Sequence, residues 1–376
     1  MLKKYYATQI GKFIAENKDW ESVLVKEPYC LRYQRYDGYI LFKYNQVDSD
    51  FSNPIVREAR GIIFKEGYWE VPVCHPFDKF FNVGESNADL LDWPTTMVTQ
   101  KIDGSLIKLW YNDNHWHVST NGMIDAHQAC YSDVESCNFR ELFEEALENN
   151  NITFEELTSE MEPGFTYMFE LVSPKTRVVI PYDKTDLYYL GLRDNYSNAE
   201  MPFYSVNFSL KIPTKVKKPA VYSLHSVTEC LKAAQNLPWN EEGYVACDIN
   251  CNRVKIKSPQ YVLAHYVRNN NNVTNETLVG VAISGEYEEF LTYANEYKDA
   301  LQKVTDKIKK FKNDCVEALN NVKSKPYSNR KEYALEVQKY PENIRPYLFI
   351  NADKEMSVDE FTGGWDSKKW LKYIEV

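Results

Sequence analysis

No run of apolar residues in this chain approaches the roughly 20 that a membrane-spanning helix requires, and the mean hydropathy is -0.53. A membrane partner is therefore not expected. The opening residues, Met1-Leu2-Lys3-Lys4-Tyr5-Tyr6, lack a long apolar core, so no signal peptide is expected either. Cysteine is sparse: eight residues are scattered through 376, which argues against a disulfide framework. The closest pair, Cys247 and Cys251, has no second pair and no histidine at zinc spacing. Reduced thiols in a cytoplasmic setting are the expectation. Internal repeats are absent. Positive charge is also in deficit, and a net charge of -10 argues against a general nucleic-acid coat protein.

What is present is enough for a core and for two domains: 376 residues, 44% of them apolar. Basic residues are concentrated locally. Lys298 to Lys331 holds ten basic against four acidic residues. Lys211, Lys215, Lys217 and Lys218 form a second cluster. Each reads either as a solvated surface or as a local track for a phosphate backbone.

The most informative stretch is Lys101-Ile102-Asp103-Gly104-Ser105. It sets an amine nucleophile beside a carboxylate and a tight turn, between strands predicted at 97–100 and 106–111. A turn at Asn112-Asp113-Asn114 leads to a third strand, 115–120. Upstream, Ile10, Phe13, Ile14 and Trp20 give residues 1–25 one amphipathic helix. Tyr36-Asp37-Gly38-Tyr39 joins two strands within 30–45, and Arg60 leads into an apolar strand closed by Glu66-Gly67. Helical spacing covers 138–149. Strands are predicted at 167–172, 178–180 and 187–193, a loop at 195–220 and a short helix at about 226–236. Glu170 lies inside an apolar strand, a costly position unless it faces a cleft, a cation or donors. Glu242-Gly243 opens another strand, and Lys255 and Lys257 share one face of the next. Two ammonium groups on one face repel unless an anion lies between them.

Beyond about residue 267 the pattern becomes helical, after a linker at Asn269 to Asn272. Phe290, Ala294, Tyr297, Leu301, Val304, Ile308, Phe311, Cys315, Leu319 and Val322 recur at three- and four-residue steps, giving one long helix or a helix pair. A further helix starts at Ser328, and Ser357-Val358-Asp359-Glu360 fits a capping box. A last helix runs through Trp365, Trp370 and Tyr373. The fold class is α+β: a domain over 1–265 with antiparallel sheets, then an all-helical domain over 266–376.

Taken in order, Lys101 to Ser105, Phe169-Glu170-Leu171-Val172, Glu242-Gly243-Tyr244-Val245 and Lys255-Ile256-Lys257 resemble the motifs of covalent nucleotidyltransferases. The similarity is greatest to the phage-type RNA ligase 1 family. Glu58-Ala59-Arg60-Gly61-Ile62, Lys79-Phe80-Phe81-Asn82, and Lys257-Ser258 followed by Tyr261 resemble that family's own additional motifs. The resemblance covers residues 40 to 265.

It implies an ATP-dependent RNA ligase with an adenylation domain and a helical RNA-specificity domain. Lys101 would take AMP from ATP, AMP would pass to an RNA 5′-phosphate, and a 3′-hydroxyl would displace it. The implied partner is RNA with such ends, tRNA foremost, handled by a monomer. The resemblance also implies Mg²⁺ or Mn²⁺. It assigns Lys255 and Lys257 to the α-phosphate, Arg60, Lys79 and Tyr44 to the nucleotide, and Glu170 to the ribose. Phe81 is placed for stacking on the nucleotide or for the core. Gly104, Ser105 and Tyr261 complete the motifs. Asp103 and Glu242 are hard oxygen ligands suited to Mg²⁺, and Glu288-Glu289 aligns with an acidic pair that meets metal in the family or begins a solvated helix.

A lysine of ordinary pKa, about 10.4, is protonated at neutral pH, and bringing that value down to about 7 requires roughly 4 kcal/mol. Neighbouring cations would supply this by disfavouring the ammonium. One feature departs from the family: a basic residue is expected within Ser119-Thr120-Asn121-Gly122 and is missing. Another cation, Lys108 for example, would have to substitute, or transfer would be slower. The rival readings are a GTP-dependent capping guanylyltransferase, a DNA ligase, and a non-catalytic RNA-end-binding module.

Overall fold

The computed structural model describes residues 5–132, 137–205, 212–266 and 273–374, apart from the side chains of Leu263, Tyr266, Glu289, Thr292 and Tyr293. Lys211, the Asn269–Asn272 linker and the Glu289 side chain lie outside the described residues. The chain divides into two compact units, Met1–His265 and Tyr266–Val376. The first is α+β with antiparallel sheets, and the described part of the second is helical. No described helix is long and apolar enough to cross a membrane, and all eight cysteines are free thiols.

The strands of the first unit run in chain order as β1 (Arg32–Tyr36), β2 (Tyr39–Lys43), β3 (Arg60–Lys65), β4 (Phe81–Asn82), β5 (Met97–Gln100), β6 (Ser105–Asn112), β7 (His115–Thr120), β8 (Phe165–Val172), β9 (Asp186–Asp194), β10 (Glu200–Pro202), β11 (Val221–Tyr222), β12 (Gly243–Cys247) and β13 (Arg253–Lys257). They form three sheets, ordered β1-β2-β3, β10-β9-β8-β6-β7 and β11-β5-β12-β13-β4. Neighbours are antiparallel except for β13 and β4. The β1–β2 hairpin closes on Asp37 and Gly38, both at positive φ (50° and 77°), as a two-residue turn of matching twist requires.

Alternation along β6 and β8 divides their side chains between two environments. Ile107, Leu109, Tyr167, Phe169 and Leu171 pack with Leu142, Phe143, Ala146 and Leu147 of the helix Phe139–Asn149. Leu106 and Met168 point to the other face and pack on Phe77. Glu170 and Lys108 share that second face by the same period of two. The predicted single N-terminal helix is instead two, Gln9–Glu16 and Trp20–Leu24. Ile10, Ile14, Trp20 and Leu24 nevertheless reach one core, under β2 and β3. The predicted strand at 178–180 does not form. The N–H groups of Val179 and Ile180 are taken by the Asp103 carboxylate instead of a neighbouring strand.

In the second unit the long apolar stripe breaks at Ala294. Helix Tyr287–Tyr293 precedes it and Lys298–Lys323 follows, burying Leu301, Val304, Ile308, Phe311, Cys315, Ala318 and Val322. The Ser357 capping box is present: its hydroxyl accepts from Glu360 N–H at 3.1 Å, and its own N–H donates to Glu360 at 2.8 Å. Helices Asn275–Ser284 and Arg345–Ile350 carried no signal in the sequence reading.

Candidate active site

Lys101 stands where the chain leaves one sheet for another, β5 belonging to the third sheet and β6 to the second. Its backbone N–H donates to Gly243 O at 2.9 Å, so it continues the β5–β12 ladder by one residue. Gly243 in turn faces Lys257 across β12 and β13. Lys101, Glu242 and Lys257 therefore occupy adjacent strand ends in one row. Lys101 Nζ donates to Glu242 Oε1 at 2.7 Å, and Lys257 Nζ lies 3.7 Å from the same oxygen. Glu242 is only 4% exposed and Lys101 20%. The second carboxylate oxygen of Glu242 is buried without a hydrogen-bond partner.

Above this row opens a cavity of about 480 Å³, lined by Lys101, Gly104, Ser105, Arg60, Glu170 and Phe80 among others. Gly104 lets the turn lie against β8, because a methyl group there would run into the Leu171 carbonyl oxygen. Burial pushes the Glu170 carboxyl up to about 7, with the Glu242 charge adding to the rise and Lys101 and Arg60 opposing it. The Arg60 and Arg253 guanidiniums lie over Phe80 at 5.3 and 5.4 Å, and the Lys255 ammonium at 5.6 Å. The Phe80 ring thus helps hold three cations, of which Arg60 and Arg253 line the cavity. Arg253 and Arg193 share the buried carboxylate of Glu200.

The sequence assigned Asp103 as a metal ligand. The structure gives it three protein donors: Val179 N–H at 3.0 Å and Ile180 N–H at 2.8 Å on Oδ2, and the Tyr261 hydroxyl at 2.9 Å on Oδ1. Its own N–H donates to the Tyr182 hydroxyl at 3.3 Å. It braces the turn behind the lysine, and Tyr261 belongs to that brace. Phe81 is 5% exposed and packs on Phe51. Its neighbour Phe80 lines the cavity, and Phe81 does not. Lys79 lies over Tyr44, Phe51 and Phe81 at 5.1, 5.2 and 5.6 Å. Tyr44 is half-buried, and desolvation favours its neutral phenol, yet Lys79, Arg60 and Lys43 together hold it below its usual pKa. Arg60 is thus the link between this group and the cavity. Glu288 is exposed and belongs to the second unit.

The sequence reading missed Phe80, Tyr182 and Lys43. Phe80 had a usable signal, since adjacent residues of an extended segment face opposite ways. Tyr182 and Lys43 had none, because their partners lie far away in sequence. Among the described residues no three His, Cys, Asp or Glu side chains group as a metal cage. Mg²⁺ held by one carboxylate together with substrate phosphates is a common alternative. The unpartnered buried oxygen of Glu242 fits that arrangement.

A lysine paired with a buried glutamate, beside arginines that line a cavity of about 480 Å³, is an arrangement suited to a nucleotide, and comparison with known proteins gives the class. The family model described as RNA ligase matches residues 58–261, and the chain belongs to the phage-type RNA ligase family. A protein of Autographa californica nuclear polyhedrosis virus, named as a bifunctional polynucleotide kinase/RNA ligase, is 33% identical over 298 residues, covering 75% of this chain and 41% of its own length. One from Thermovibrio ammonificans, named as an RNA ligase, is 28% identical over 225 residues, covering 57% of this chain and 55% of its own. The chain thus spans about half the length of these two relatives. A solved archaeal ATP-dependent RNA ligase overlaps 93% of this chain and 84% of its own at TM-score 0.46 and 11% identity.

Proposed function

We propose that this chain joins an RNA 5′-phosphate to an RNA 3′-hydroxyl using ATP, through a lysyl-AMP at Lys101. The observation that carries the reading is the 2.7 Å pairing of buried Glu242 with Lys101, which lines a cavity together with Arg60 and Arg253. The Lys101 nitrogen attacks the α-phosphorus. A P–N bond forms, the bond from that phosphorus to the bridging oxygen breaks, and pyrophosphate leaves. The nitrogen's proton leaves by way of Glu242, the group already hydrogen-bonded to it. A 5′-phosphate oxygen of RNA then displaces Lys101 from AMP. Finally a 3′-hydroxyl oxygen attacks that 5′-phosphate, and AMP departs.

The residues divide this work by position. Lys255, Lys257 and Arg60 meet the negative charge that gathers on phosphorus, as fixed cations do in phosphoryl transfer. Glu170 faces the cavity as the ribose partner. Tyr44 and Lys79 extend the cationic wall through Arg60, toward the leaving phosphates. Glu242 would hold Mg²⁺ or Mn²⁺ through its free oxygen. That ion, when bound, offsets phosphate charge. The helical unit carries Lys303, Lys307, Lys309 and Lys310 exposed along its longest helix. We assign it to RNA selection, with tRNA the first substrate to try.

The test is covalent labelling. The protein is incubated with α-labelled ATP and Mg²⁺ or Mn²⁺, denatured and run on a gel. Label on the parent and none on Lys101→Ala is the expected result. An unlabelled parent, or a labelled Lys101→Ala, removes the reading.

A further inference from the structure

Lys43 is the last residue of β2, and the strand pairing slips beside it. Phe42 faces Ile62, but Lys43 faces Arg60. Gly61 is left over as a bulge, at φ 83°. The bulge has two effects. It brings Lys43 and Arg60 side by side, and it turns the Gly61 carbonyl onto the Lys108 ammonium, which donates to it.

These groups converge behind one turn. A methyl group on Gly122 would stand 3.5 Å from Lys43 Nζ, and one on Gly61 would stand 3.0 Å from Lys108 Nζ and 2.7 Å from the Asn121 carbonyl oxygen. Thr120, Asn121, Gly122 and Arg60 line the cavity. Lys43 is half-buried and Lys108 fully buried. Among the described residues, none of Lys43, Arg60 and Lys108 has a carboxylate in salt-bridge contact. Burial lowers the Lys43 amine, with Tyr44 opposing the fall and Arg32 and Arg60 adding to it, and burial takes Lys108 down to about 8. Like charges gathered away from water are unfavourable unless an anion completes the set.

We propose that Lys43 reaches past Gly122 to contact the polyphosphate of the nucleotide, replacing the basic side chain missing from residues 119–122, with Lys108 holding the bulge through Gly61. Lys108, the substitute suggested by the sequence, is spent on the Gly61 carbonyl. This assignment rests on the ligase reading for the identity of the nucleotide. It requires only an anion site for its geometry, so the two can fail separately.

The experiment compares the parent, Lys43→Met and Lys43→Arg. Two readouts are used: the single-turnover rate of labelling from α-labelled ATP, and the change in Tm on adding inorganic pyrophosphate. Lys43→Met is expected to label about a hundredfold more slowly, the usual loss when one transition-state donor is removed. Its pyrophosphate response should vanish while its ligand-free Tm stays near that of the parent. Lys43→Arg should regain most of both. If the parent takes no label, yet its pyrophosphate response is lost in Lys43→Met, the anion site stands and the ligase reading falls. A parent with no pyrophosphate response overturns the site. So does a Lys43→Met protein that labels at the parent's rate or keeps the response.

Discussion

The hydroxyl of Tyr261 donates to Oδ1 of Asp103 at 2.9 Å, joining residues 158 apart in sequence. The other oxygen of that carboxylate takes two backbone N–H groups, from Val179 and Ile180. Asp103 therefore fastens three separate segments two residues beyond the proposed nucleophile. A hydrogen bond to a charged group contributes about 1.5–3 kcal/mol. Tyr261→Phe should lower stability by about that amount. Asp103→Asn should cost more, because its amide –NH₂ must face either the phenol or the paired N–H groups. Urea unfolding of the two variants checks the order. An Asp103→Asn protein as stable as the parent but unable to take label would return Asp103 to a direct role at the phosphates or metal.

Gly61 tests the bulge from the backbone side. Its φ of 83° disfavours a side chain, and a Cβ would also meet the Asn121 carbonyl oxygen at 2.7 Å. Gly38 has a similar φ of 77° with nothing within 4 Å. Gly38→Ala should cost only the left-handed strain, about 1–2 kcal/mol. Gly61→Ala should cost distinctly more and should also slow labelling, since the Lys43–Arg60 pair moves with it. Equal melting temperatures and equal labelling for the two variants would show that the bulge does not set the site.

These two cases also show what the sequence could and could not convey. Period-two alternation was sufficient to place Lys101 at a strand end, to set Lys255 and Lys257 on one face and to bury Glu170 beside a cleft. Period-3.6 spacing was sufficient for the stripe from Leu301 to Val322. Both patterns are local. The failures are contacts between distant segments. Val178 to Ile180 has strand composition, but its N–H groups are claimed by Asp103. Phe80 and Phe81 have the same side chain, and the register of the two-residue β4 on β13 decides which one faces the cavity. Lys43 closes a strand whose other four residues are all buried, and only the slip at Gly61 brings it to Arg60. The break between Glu16 and Trp20 left the core intact, because both helices bury the same side.

Glu58 gives a prediction in pH. Its two carboxylate oxygens accept from Gln9 N–H at 3.0 Å and Ile10 N–H at 2.8 Å, at the start of the first helix. Burial, and next the Asp78 charge, nevertheless push its pKa up to about 7. The folded carboxyl therefore binds its proton more tightly than the unfolded one, whose pKa is near 4.5. Between those values the folded state holds more protons, and Glu58's contribution to stability falls as pH rises through the window. A Glu58→Gln protein does not titrate there. Its deficit relative to the parent should shrink by about 1–3 kcal/mol between pH 5 and pH 8, because one proton held across one pH unit is worth roughly 1.4 kcal/mol. Denaturant unfolding at several pH values across that range checks it. A pH-independent gap would assign the slope to other groups.

The last prediction separates the two units by activity. Lys307, Lys309 and Lys310 are exposed on the helix Lys298–Lys323. Lys312, which the sequence would group with them, pairs with Asp359 at 2.8 Å and is part of the helical packing. Neutralising all four would confuse RNA contact with stability, so the informative variant changes Lys307, Lys309 and Lys310 to Gln and keeps Lys312. If that face tracks an RNA backbone, each lost contact flattens the salt dependence of binding, by about 0.7 in log–log slope per phosphate on a single strand. Three contacts give a change of about 2. Joining of RNA ends should weaken accordingly, most at low salt, while lysyl-AMP formation at Lys101 proceeds at the parent's rate because that step involves no RNA. Binding isotherms at several salt concentrations, run beside the labelling assay, make the distinction. An unchanged salt slope with reduced joining would place the RNA path on another surface, and equal loss of both activities would mean that these lysines support the fold of the second unit.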